Sequence, residues 1–202
     1  MNKQLQTLAL DGLVCASSCQ KKVLPGITSS YYKSQSITGG IPECLWSMPR
    51  LEVLHLSGNS ITGTFPSDLG NLSRSLQDLC LSFNLIAGNI PRDIQERQWM
   101  NLDLSNNRIS GTLLSNFNYT SNNSTLLSLN DNRLSGFIPS SLYHARNLDI
   151  LDGNYYDCAY DRSDLPRHDE GNHIYDCGSN TWDALYYVWL GLVVFSVISV
   201  VF

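Results

Sequence analysis

Along this chain the apolar residues recur at fixed offsets from one position that is usually Asn. That position falls at Leu13, Gln35, Asn59, Asn84, Asn107 and Asn132, in steps of 22, 24, 25, 23 and 25 residues. Eight, five and three residues before it stand Leu5, Leu8 and Leu10; Leu51, Leu54 and Leu56; Leu76, Leu79 and Leu81; Trp99, Leu102 and Leu104; then Ser124, Leu127 and Leu129. Two residues after it come Cys15, Ile37, Ile61, Ile86, Ile109 and Leu134. Four after it stand Gly39, Gly63, Gly88, Gly111 and Gly136, with Ser17 the exception, and Pro42, Pro66, Pro91 and Pro139 close four of the copies. A period of this length marks a solenoid, in which no copy can bury its apolar edge alone and the stack is the folding unit.

Each offset carries a structural expectation. The L-x-L pair alternates with period two, which predicts a short strand whose leucines enter a shared core while the residues between them face out. The Asn amide offers two donors and an acceptor where the strand turns, which predicts a buried ladder between copies. Gly permits backbone angles or a close approach that a Cβ would forbid, and Pro ends the segment because it has no N–H.

The copies, "LEVLHLSGNSITGTFPSDLGNLSRS" and "LQDLCLSFNLIAGNIPRDIQERQW" among them, resemble plant-type leucine-rich repeats of the pattern LxxLxLxxNxLxGxIPxxLxxL, over roughly residues 5 to 156. The resemblance implies an α/β-type solenoid: a right-handed superhelix with parallel strands on its concave face and helical turns or short secondary strands on its convex side. Ser30 and Tyr32 replace leucines around Gln35, and Leu13 and Gln35 replace Asn, so the first two copies are expected to be the least regular.

After Asn132 the pattern loosens, and the next anchor is Asn154 or Tyr156. Residues 1–156 are read as repeats, 157–183 as a cap and juxtamembrane segment, and 184–202 as a transmembrane helix. Cys158 and Cys177 bracket the cap and are expected to pair, closing a loop of about twenty residues. The competing arrangements leave them as unpaired thiols or make them zinc ligands together with His168 and His173, although that spacing matches no common finger and the segment is mainly acidic.

From Ala184 to Phe202 no residue is charged. Nineteen helical residues span about 28 Å, close to the hydrocarbon thickness of a bilayer. Tyr186, Tyr187 and Trp189 crowd the first turns, where aromatic rings favour the headgroup level. The opening "MNKQLQTLALDG" starts one residue register before a repeat, with neither a cap nor a signal-peptide core, and reads as part of a longer chain. A tail anchor with cytosolic repeats and a GPI-anchor signal stay open as topologies. The N-x-[ST] sequons at Asn71, Asn118, Asn122 and Asn123 favour repeats outside the plasma membrane.

Charge and motifs narrow the function. Thirteen Lys and Arg against 18 Asp and Glu give a net charge of -5, without the concentrated positive stripe that nucleic acid demands. No phosphate loop, G-x-S-x-G, H-E-x-x-H or kinase motif is present, and His55, His144, His168 and His173 are scattered; no enzyme activity, cofactor or metal is expected. The resemblance implies a membrane-anchored, receptor-like module whose concave face binds an extracellular peptide, protein or glycan, with a co-receptor as a further partner. Among outward strand positions, Tyr31, His55, Asp78, Phe83, Asp103 and Asp131 are expected to touch the ligand, the aromatics as anchor area and the carboxylates by attracting basic groups. Cys80, also outward, reads as a free surface thiol, and Cys15 and Cys19 as core residues. The alternative is a tail-anchored intracellular scaffold.

Overall fold

In the computed structural model the described residues are 5–10, 38–66, 69, 72–120 and 125–178, together with the backbone of 180–201 and the side chains of 186–196 and 198. Six short strands form one parallel sheet in the order β1(Thr7–Ala9), β3(Val53–His55), β5(Asp78–Cys80), β7(Asn101–Asp103), β9(Leu126–Ser128) and β11(Leu148–Asp149). After each turn the chain runs through a second set of strands: β4(Ser60–Ile61) pairs with β2(Thr38–Gly39), and β6(Ala87–Gly88), β8(Arg108–Thr112), β10(Arg133–Phe137) and β12(Tyr155–Asp157) form a four-stranded sheet. The convex side carries single turns of helix: α1(Glu43–Trp46), α2(Arg92–Gln95) and a 3-10 turn at Ser140–Leu142. Each follows a proline, Pro42, Pro91 or Pro139, whose extended ψ sets the entry. Parallel strands on one face and short helices or strands on the other agree with the leucine-rich-repeat expectation.

The core is the stack of predicted inward positions. Leu54, Leu79, Leu102 and Leu127 are in register across neighbouring strands, and all are buried. Leu56, Leu81, Leu104 and Leu129 form the next row, and Ile61, Ile86, Ile109 and Leu134 the row beyond the turn.

The first turn departs from the expected spacing. β1 pairs directly with β3, Leu8 opposite Leu54, while β2 pairs with β4, Gly39 opposite Ile61. The strands at Leu8 and at Thr38–Gly39 are therefore neighbours of the same next rung. Where two copies are expected, β1 and β2 supply the two halves of one split rung, and the expected anchors Leu13 and Gln35 lie outside the described residues. Cys15 and Cys19 lie outside the described residues.

Between rungs runs the asparagine ladder. The Asn84 Nδ2 donates to the carbonyls of Leu81 at 2.9 Å and of Leu56, one rung back, at 2.9 Å, while its Oδ1 accepts from the Ile61 N–H at 3.1 Å. Asn107 bridges Leu81, Leu104 and the Ile86 N–H in the same way, and Asn132 bridges Leu104, Leu129 and the Ile109 N–H. Asn59 reaches back to the Leu10 carbonyl at 2.8 Å. Asn154, not Tyr156, is the last anchor: it donates to Leu129 and Ile150 and accepts from Leu134. Its local carbonyl is four residues back rather than three, so this rung contains one extra residue.

The cap closes the exposed end of that ladder. Tyr156 fills the inward place taken by Ile elsewhere, and the Tyr175 hydroxyl accepts from its N–H and donates to the Asn154 carbonyl. The Asp169 carboxylate accepts from the N–H groups of Ile150 and Leu151. Cys158 and Cys177 form a disulfide, with 2.07 Å between the sulfurs, so the pairing expectation holds and the zinc arrangement is set aside. Beyond the cap, α3(Asn180–Val201) is a single helix of 22 residues. Among the described residues no helix is long and apolar enough to cross a membrane.

The ladder and the core should fail differently. Leu79→Ala should lower stability by about 2 to 5 kcal/mol through a core cavity, and Asn84→Ala by about 3 kcal/mol, because it strands buried carbonyls and an N–H at once. Chemical denaturation measures both. An Asn84→Ala chain as stable as the parent would mean that the amide is incidental to the stack.

Candidate functional site

The strand register sorts the outward side chains into two rows. His55, Cys80, Asp103, Ser128 and Asp149 follow one another across the sheet, as do Val53, Asp78, Asn101 and Leu126. At their centre the rows join. Asp78 Oδ1 lies within hydrogen-bond distance of His55 Nε2, at 2.9 Å, and it also accepts from Asn101 Nδ2 at 3.0 Å. One carboxylate thus ties together three adjacent strands. His55 and Asp78 side chains keep 13% and 16% of their surface exposed.

Two expectations about this face are corrected. Cys80 is not a free surface thiol: it is fully buried and disulfide-bonded, to a partner outside the described residues. Asp103 is outward in register but 0% exposed, accepting from the backbone N–H and hydroxyl of Ser105 at 3.0 and 2.7 Å. Its carboxylate holds the turn after β7 instead of facing solvent. Asn101, in the neighbouring row, is also buried. The ring nitrogen of His55, the carboxylate of Asp78 and the sulfur of Cys80 lie within 4.8 Å of one another, but the disulfide removes the thiolate a metal would need.

Phe83 and Asp131 occupy a different place from the strand residues, on the rim where each strand ends. The residue before each anchor has positive φ throughout: Gly58 at 67°, Phe83 at 54°, Asn106 at 53°, Asp131 at 54° and Gly153 at 70°. Two rungs use Gly there. Asn and Asp tolerate the left-handed region, but for a bulky side chain such as Phe it is a genuine outlier. Phe83 is half-buried and Asp131 exposed.

Sequence reasoning missed Asp149. The extra residue between Ile150 and Asn154 shifts the strand by one, so neither candidate anchor would have placed Asp149 in the outward row with Ser128. Its environment is acidic: burial, and then the carboxylates of Asp169, Asp152, Glu170 and Asp131, push its pKa up to about 6. Asp152, Glu170 and Asp131 are exposed, so a negative patch continues from the last strand onto the rim and cap. Of the remaining expected sites, Asn118 is exposed, whereas Tyr31, Asn71, Asn122 and Asn123 lie outside the described residues.

Comparison with known proteins fits this architecture. The Leucine Rich Repeat family model matches residues 50–72, 99–119 and 123–145. Receptor-like protein 54 of Arabidopsis thaliana is 45% identical over 60 residues, 30% of this chain and 7% of that protein. Receptor-like protein 48 of the same plant is 33% identical over 92 residues, 42% of this chain and 11% of that protein. The chain therefore spans only a small part of the curated relatives it matches. Among solved structures, the leucine-rich-repeat ectodomain of the receptor kinase SOBIR1 from Arabidopsis thaliana superposes with a TM-score of 0.50 at 32% identity, covering 62% of this chain and 68% of that one. The chain is a leucine-rich-repeat solenoid similar to plant receptor-like proteins.

Proposed function

We propose that this chain is the membrane-proximal part of a receptor-like recognition module that binds a peptide or protein segment carrying basic side chains. Binding uses the C-terminal end and rim of the concave face. The row of left-handed rim positions carries the reading. Where glycine would relieve the backbone, the chain keeps Phe83, Asn106 and Asp131, and residues held in sparsely populated backbone regions concentrate at binding sites. Phe83 supplies anchor area, and Asp131 with Asp149, Asp152 and Glu170 supplies a field that steers and orients cationic groups. His55 and Asp78 complete the surface toward the first strands. The chemistry is binding, without catalysis.

Two observations support repeats outside the cell and a membrane anchor. Cys158 and Cys177 are oxidised, and disulfides persist in oxidising compartments rather than the cytosol, which disfavours the intracellular scaffold. The charge-free stretch from Ala184 lies on α3, where Tyr186, Trp189, Leu192, Phe195 and Ile198 are all exposed. Apolar side chains on every side of a helix suit lipid rather than water. In this arrangement the tail holds the module at a surface, and recognition happens there.

Titrating the full chain in nonionic detergent with a hexalysine peptide tests the site. Binding should weaken on joint replacement of Phe83 by Gly and Asp131 by Asn, with the melting temperature changed by only a few degrees, because Gly accepts the left-handed backbone. Unchanged affinity with a large loss of stability would assign both residues to packing. Expression through the secretory route should add glycan at Asn118, so that glycosidase lowers the mass and Asn118→Gln reduces the shift; no shift at all would undercut the extracellular reading.

Protonation offers a further check. Folded Asp149 keeps its proton up to about pH 6, whereas the unfolded chain releases it at the ordinary, lower carboxylate value. The folded state therefore binds more protons between about pH 4 and 6, and its stability falls as pH rises through that window. Asp149→Asn should be more stable than the parent at pH 7, with the gap closing toward pH 4. Thermal melts across that range measure it, and a gap independent of pH would remove Asp149 from the patch.

A further inference from the structure

At the edge where the convex turns feed strands β5, β7 and β9, a cavity of about 530 Å3 opens. Arg74, Gln77, Arg97, Gln98, Trp99 and Met100 are among the residues that line it. No carboxylate lines it, in a chain of net charge -5. The two arginines hold equivalent places: Arg74 stands ten residues before Asn84, and Arg97 ten before Asn107. Their rungs are adjacent, and adjacent parallel strands lie about 4.8 Å apart. Repetition of the stack thus brings two like charges to the border of one hollow.

Neither guanidinium joins an ion pair among the described residues, where Arg92–Glu96 and His55–Asp78 are the salt bridges. Arg97 is half-buried, its guanidinium 5.3 Å from the centre of the Trp99 ring, which orients it. Burial lowers its pKa, so its charge stands desolvated without a counter-charge. Two guanidiniums lining one cavity offer positive charge and N–H donors that suit an oxyanion, the Gln77 and Gln98 amides line the same cavity, and the volume lies within the range of small-molecule sites. Trp99 and the exposed Met100 give the rest of the wall apolar character.

We propose that this cavity binds an acid with an apolar body, its anionic group held between Arg74 and Arg97 and its body against Met100 and Trp99. The site lies where the chain enters β5, β7 and β9, at the opposite end of these strands from the Phe83 and Asp131 rim, so its ligand is a second one.

Calorimetric titration of the full chain in nonionic detergent tests it with phenyl phosphate, phenyl sulfate and benzoate, and with phenol as the neutral counterpart. At least one of the acids should bind more tightly than phenol by about tenfold or more, with affinity falling as salt is raised. Arg74→Gln and Arg97→Gln should each weaken that acid by about tenfold, and Arg→Lys at the same positions by less. The identity of the preferred acid names the head group. If Arg97→Gln unfolds, the exposed Arg74→Gln alone reads the same loss. Equal binding of phenol and all three acids, or binding of the acid unchanged in the folded Arg74→Gln chain, overturns the proposal; loss of hexalysine binding on the concave face has no bearing on it.

Discussion

The amide of Asn84 sits where carbonyls from two rungs and an N–H from the earlier one converge away from water, and it satisfies them together. A strand only three residues long cannot turn sharply and still pair all of its backbone groups, so the turn requires a side chain with donors and an acceptor in fixed relation. The same amide reaches one rung back, which fixes the spacing between copies and keeps the strands parallel. The leucine rows then fall into register, and the core follows from the ladder. Beyond Asn154, Asp169 and Tyr175 take over the ladder's duties toward the last strand and turn.

The outer face is organised by the same repetition, with a different result. Equivalent positions on successive rungs bring like residues together: guanidiniums at Arg74 and Arg97, and left-handed backbone at Phe83, Asn106 and Asp131. In a globular fold such neighbours would be scattered among unlike groups. Here a sequence feature that recurs at the period becomes a surface of one chemical character, and a solenoid with net negative charge can carry acidic and basic sites on separate edges.

Much of this was legible in the residues. The inward leucines and the ladder from Asn59 to Asn132 follow from spacing, because each depends on a fixed offset within one rung; the Cys158–Cys177 bridge follows from two cysteines bracketing the cap, and the convex helical turns from the family resemblance. What was not legible depended on offsets that change. The interval from Leu10 to Thr38 looked like more than one rung because its residues imitate the period, and only strand pairing showed that β1 and β2 flank the same neighbour. One extra residue before Asn154 hid Asp149. The burial of Asp103 and Cys80 was hidden for another reason: alternation gives the direction of a side chain, and contacts formed far along the sequence decide whether water reaches it.

The split first rung shows what nearest-neighbour stacking permits. In a regular rung the inward Leu56 and the convex Thr62 are six residues apart; in the split rung the corresponding Leu10 and Thr38 are 28 apart. Because chain closure grows only with the logarithm of length, the longer excursion adds about 1.4 kcal/mol of entropy. Each half is held by its own hydrogen bonds to the next rung, so neither depends on the other for its register. The solenoid is therefore open to growth from within a single turn, and new sequence can enter there without a new repeat being made.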